Sequence, residues 1–131
     1  MREKPTPYRL LADENTSHRF VAASQRLVAD FPIVHLAHWE GGSWLGLDDS
    51  ALLIACAEHG LVLVAFDRAT LPWHAGQVLR AGENHGGLVL FRRTVRSTDC
   101  GHQARLLTAF WREEGHAWDW INRIVYLPKL A

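Results

Sequence analysis

The residue order points to one α/β domain over residues 1–131, a three-layer α/β/α sandwich around a central, mainly parallel sheet of about five strands. Short apolar runs alternate with stretches of helical periodicity along most of the chain. One run, Leu61-Val62-Leu63-Val64-Ala65-Phe66, is apolar throughout. Such a run suits a strand buried on both faces of a parallel sheet. The length of 131 residues matches one domain of about 100–150 residues.

Pro5 and Pro7 mark an extended lead over residues 1–7. Residues 8–12 form a short apolar run, the first strand, which closes on Asp13-Glu14-Asn15. Thr16 or Ser17 then caps a helix to about Ala29, with Phe20, Leu27 and Val28 on its inner side. After Pro32, residues 33–37 read as the second strand. Residues 38–47, with three glycines and two tryptophans, read as a loop. Asp48-Asp49-Ser50 opens a helix through His59, with Asp49 as the N-cap and Gly60 as the stop. Residues 61–66 are the third strand. Thr70 and Pro72 start a helix that ends near Gly82. Residues 87–91 make a fourth strand. Asp99 opens a long helix with Leu106, Leu107, Phe110 and Trp111 inward, and Gly115 ends it. Residues 123–127 make a fifth strand, stopped by Pro128.

Composition narrows the class. Fourteen Lys and Arg balance fourteen Asp and Glu, so overall charge selects neither nucleic acid nor an acidic tail. The balance hides an asymmetry: residues 1–67 carry five basic and nine acidic side chains, and residues 68–131 carry nine and five. Two cysteines exclude a disulfide-rich scaffold, and Cys56 reads as a small buried hydrophobe. No apolar run approaches the ~18 residues of a membrane span, and residues 1–7 lack a hydrophobic signal region. A cytoplasmic setting without membrane association is the expectation.

In parallel sheets ligands gather beyond the carboxyl ends of the strands. Asp13, with Glu14, follows the first strand, and Asp67 follows the third. Asp49, with Asp48, starts the helix before the third. Clustered carboxylates repel, and a hard divalent cation relieves that repulsion. Mg²⁺ or Mn²⁺ in such a place suits phosphodiester hydrolysis. Two of the acids also have ordinary structural uses, Asp49 as a helix cap and Asp67 as a cap or turn closer; the polarity of Asp13-Glu14-Asn15 directly after a strand is more than structure alone needs.

The same residues carry a resemblance. Leu10-Leu11-Ala12-Asp13-Glu14-Asn15, then Gly46-Leu47-Asp48-Asp49, then the strand ending at Asp67, resemble the compact bacterial PIN-like family. Gly86-Gly87-Leu88-Val89-Leu90-Phe91 resembles its fourth strand, and the match spans about residues 8–127. The resemblance implies a metal-dependent ribonuclease of toxin type, paired with a small antitoxin protein. Asp13, Asp49 and Asp67 would be the catalytic, metal-binding carboxylates, with Glu14 and Asp48 assisting. Ala69 stands where the family usually carries a further acid, and Ala65 where it usually carries Thr or Ser. An inactive PIN-like binding or regulatory protein is therefore the alternative. A phosphoacceptor receiver domain is a more distant one, because it expects Lys before Pro after the last strand and the order here is Pro128-Lys129.

Arg92, Arg93 and Arg96 follow the fourth strand and are the expected RNA-backbone contacts. His35-x-x-His38 and Cys100-x-His102 lack the paired spacing of structural zinc sites. His85, just before the fourth strand, receives no role. Of six tryptophans, Trp111 fits a helical core stripe. Trp39, Trp44, Trp73, Trp118 and Trp120 lie in expected loops or helix starts, and some of them are expected to form an interface in a homo-oligomer or with a small partner.

Overall fold

A computed structural model describes residues 7–130. The expected extended lead lies, apart from Pro7, outside the described residues. The strands are β1 (Arg9–Ala12), β2 (Ile33–His35), β3 (Leu61–Ala65), β4 (Leu88–Phe91) and β5 (Ile124–Leu127). The helices between them are α1 (His18–Leu27), α2 (Asp49–His59), α3 (Thr70–Arg80) and α4 (Cys100–Glu113). The strand order is β2-β1-β3-β4-β5, and every neighbouring pair is parallel.

The pleat divides the core in two. Leu10, Ala12, Val62, Val64, Val89 and Phe91 point to one face, where Phe20 and Ala23 of α1 meet Ala104, Leu107, Phe110 and Trp111 of α4. Leu11, Leu61, Leu63, Ala65, Leu88 and Leu90 point to the other, against Leu52, Leu53 and Cys56 of α2 and Leu71, Ala75 and Val78 of α3. Both faces of the central strands are therefore covered, which explains why β3 has no polar alternation. Cys56 is fully buried, and burial pushes its thiol up to about 12.

Three elements differ from the expectation. Leu27 is 53% exposed although its spacing puts it on the inner stripe. Leu27 faces solvent, while its neighbour Val28, the C-cap of α1, packs against the core. β2 stops at His35 because its Nδ1 accepts the Ala37 N–H at 3.1 Å and turns the chain into a 3₁₀ stretch, Leu36–Gly42. That stretch is broken at Trp39, and Glu40 and Gly41 take positive φ values. Trp120, one of the tryptophans considered for an interface, is excluded from it: it is fully buried, stacked on Trp111, and its Nε1 donates to the Gly115 carbonyl at 2.8 Å.

His85, buried just before β4, accepts the Gly87 N–H at Nδ1 (3.1 Å), and its own backbone N–H donates to Asn122 Oδ1 (3.0 Å). Its place is structural, and burial lowers its pKa. No described helix is long and apolar enough to cross a membrane.

Candidate active site

The chain after β1 crosses to β2 on one side, and β3 lies on the other. The strand order thus reverses between β1 and β3, and a crevice opens beyond the carboxyl ends at such a point. Asp13 stands there, one residue past β1, and its backbone N–H extends the ladder to the Val64 carbonyl at 3.0 Å. Asp67 lies two residues past β3. α2 returns to β3 through Gly60 alone, in the left-handed conformation at φ 66°. The start of α2, with Asp49, therefore lies at the same edge.

The turn after β1 is tightly made. The Thr16 N–H and Oγ1 both donate to the Asp13 carbonyl, at 2.9 and 2.6 Å. Glu14 and Asn15 are left exposed at its tip. The Asp13 side chain is half-buried, and its pKa is raised, first by that burial. Backbone N–H groups of Glu14 and Asn15 pull it down, while the charges of Glu14 and Asp49 push it up. Asp13 and Asp49 are thus near enough to repel each other.

The cap of α2 is Asp48 and not Asp49, a correction to the expectation. Asp48 Oδ1 accepts the Ala51 N–H at 2.8 Å, and Asp49 is the first helical residue. Of two adjacent acids, one closes the helix and the other is released. Asp49 Oδ2 meets His74 Nε2 at 3.5 Å, and His74 Nδ1 lies 3.3 Å from Ser50 Oγ. His74 belongs to the second turn of α3, beside α2. Reading the histidines as zinc pairs misses it; its signal is a histidine one helical turn after Thr70, on the helix that follows Asp67.

Asp67 takes the turn-closing use. Its Oδ1 accepts the N–H groups of Ala69 (3.1 Å) and Thr70 (2.7 Å) and so starts α3, whose own cap residue, Ala69, offers no side-chain acceptor. Among the described residues no three His, Cys, Asp or Glu side chains are grouped to hold a metal ion. The three acids share one sheet edge; the Asp49 charge adds a little to the raised pKa of Asp13, and Asp67 Oδ1 is committed to the start of α3.

The arginines divide as well. Arg92 Nε donates to the Pro128 carbonyl at 2.6 Å, and its guanidinium lies over Tyr126, 5.4 Å from the ring centre. It ties the ends of β4 and β5 together. Arg93 and Arg96 are exposed. Arg68, which no spacing argument singles out, donates to the Phe91 carbonyl at 3.0 Å.

Two sizeable hollows lie elsewhere. One of about 850 Å³, lined by Tyr8, Phe31, Trp111 and Trp118, is at the opposite sheet edge. Another, of about 430 Å³, runs along α4 past Leu106 and Phe110. Comparison with protein families, with curated proteins and with solved structures finds no match for this chain.

Proposed function

We propose that the edge carrying Asp13, Asp49 and Asp67 is the active site of a divalent-cation-dependent ribonuclease, a toxin whose activity a small antitoxin protein restrains. The observation that carries this reading is Asp13. It is a half-buried carboxylate at the strand-order reversal, with a pKa raised by burial and by the charges of Glu14 and Asp49. An acid kept there against repulsion is a functional candidate.

The donor set fits Mg²⁺ or Mn²⁺ in kind. Mg²⁺ is commonly held by one or two carboxylates together with waters and substrate phosphates, without an all-protein cage. Asp13 and Asp49 would hold the ion, with Asp67, Glu14 and Asp48 beside them. The ion supplies an activated water and charge neutralisation at the phosphate. The chain's own residues do the remaining work: the turn closed by Thr16 orients Asp13, His74 steadies Asp49, and exposed Arg93 and Arg96 hold the RNA backbone.

One observation favours a second reading. Asp67 Oδ1 serves the α3 backbone, and Ala69 offers no further acid. A binding or regulatory protein without activity needs nothing more. The phosphoacceptor reading loses its lysine, because Lys129 Nζ sits 2.7 Å from Glu114 and over the Trp118 ring.

The test is cleavage of single-stranded RNA in Mg²⁺ or Mn²⁺, with chelation as the control. Asp13→Asn should lower the rate by about 100-fold or more, since changes one shell further out already cost 10–100-fold. Arg93→Ala with Arg96→Ala should weaken RNA binding and flatten its salt dependence. Ala69→Asp should tighten metal binding. If wild type and Ala69→Asp are both silent over a wide RNA panel with Mn²⁺ present, the binding reading replaces the enzyme.

A further inference from the structure

The Asp13 turn does not hold itself alone. His35, at the end of the neighbouring strand β2, is 3% exposed, and its ring faces the turn. Nε2 lies 2.9 Å from the Thr16 carbonyl oxygen, and Nδ1 accepts the Ala37 N–H at 3.1 Å. A carbonyl only accepts and an N–H only donates. The two contacts together therefore require one state of the imidazole: neutral, with the proton on Nε2. Thr16, itself buried at 4% exposure, passes the constraint on, because its N–H and Oγ1 both donate to the Asp13 carbonyl. The chain of bonds runs from Ala37 through His35 and Thr16 to the residue that carries the acid. His18 covers the outer side, its ring stacked on His35 with centroids 3.9 Å apart, and His38 stands edge-on to His18 at 5.4 Å.

We propose that His35, as the neutral Nε2–H tautomer, is the positioning residue of the Asp13 turn, fixing the acid from the adjacent strand. Its importance for catalysis rests on the ribonuclease reading of Asp13; the positioning itself does not. His35 touches no reacting group. It acts through Thr16, whose N–H and Oγ1 both bond the Asp13 carbonyl.

Two variants separate its two bonds. His35→Gln keeps a donor near the Nε2 position, toward Thr16. His35→Asn keeps an acceptor near the Nδ1 position, toward Ala37, and loses the donor. Native-state amide exchange of Thr16, measured against amides of β3, reads the turn. His35→Asn should speed Thr16 exchange by about fivefold, the effect of one neutral hydrogen bond, and His35→Gln should stay close to wild type. Equal acceleration in both variants, or none in His35→Asn, overturns the proposal. Should either variant fail to fold, ¹⁵N spectra of the wild-type imidazole decide: a protonated Nδ1 with bare Nε2 at neutral pH overturns it. Neither readout uses RNA or metal, so an inactive wild type would sink the ribonuclease reading and leave this one standing. If the enzyme is active, His35→Asn should lower kcat more than it changes the KM for RNA, and His35→Gln should restore it.

Discussion

Burial in the fold favours the protonated form of Asp13, whereas the proposed function uses the ionised one. Its folded pKa is raised above the ordinary 3.8, chiefly by burial. The native state then holds that proton more tightly than the unfolded chain does. The associated stability is full below about pH 3.8 and is lost as pH rises through the folded value. Asp13→Asn should therefore raise the urea midpoint at pH 7, and the gain should vanish below the ordinary carboxylate range. A midpoint that falls at pH 7 would show that the N–H groups of Glu14 and Asn15 outweigh burial. Gly86 shows the opposite kind of necessity. A Cβ there would meet the Leu61 carbonyl oxygen and the backbone of Cys56 and Ala57, where β4's approach crosses the α2–β3 connection. None of those atoms can swing aside. Gly86→Ala should cost about 2–3 kcal/mol, at the upper end of overpacking effects, read as a lower urea midpoint at unchanged slope.

At the scale of elements, the start of α2 divides one acid pair between stability and site. Asp48 accepts the Ala51 N–H; Asp49 meets His74 and adds its charge to the surroundings of Asp13. Asp48→Ala should cost about 1 kcal/mol, the usual value of an N-cap. Asp49→Ala should change stability by less than about 0.5 kcal/mol, because its interactions are partly exposed and mixed in sign. In the cleavage assay the order should reverse, with Asp49→Ala the more damaging. Equal effects in both measurements would remove the division. The contrast with α3 is instructive: its cap position is Ala69, so Asp67 supplies the missing acceptor from outside the helix.

For the whole molecule, the apolar surface that remains is specific. Trp73 is 59% exposed on α3, while Trp111 and Trp120 are buried, and Trp39, Trp44 and Trp118 are half-buried. With zero formal net charge, little repulsion keeps copies apart. Light scattering at micromolar concentration should show a species larger than 14.8 kDa, and Trp73→Ser should return it to that mass. A wild type already at monomer mass would remove Trp73 as a self-association site. The core makes a separate forecast. With its thiol at about 12 and no exposure, Cys56 should resist a thiol reagent in the native state, while half-buried Cys100 reacts.

Read residue by residue, the chain already determines its layers. The unbroken apolar run at β3, the Gly60 stop and the helix openings at Ser17 and Asp99 are local signals, and local bonds enforce them. The carboxyl-edge position of Asp13 and Asp67 follows from the same order, because each comes directly after a strand. Which acid does what was not legible. Asp48 and Asp49 are equivalent as neighbours in a sequence, and only the helix axis selects the one whose oxygen reaches the Ala51 N–H. Trp120 lies in a loop, as its neighbours in the sequence indicate, but its burial is not legible there, because the pocket that holds it is built from α4 and the turn at Gly115. His74 and His35 gain their partners across 24 and 19 residues. Contacts of that span are set by the packing of α2 against α3 and of β2 against β1, and no local pattern in the chain encodes them.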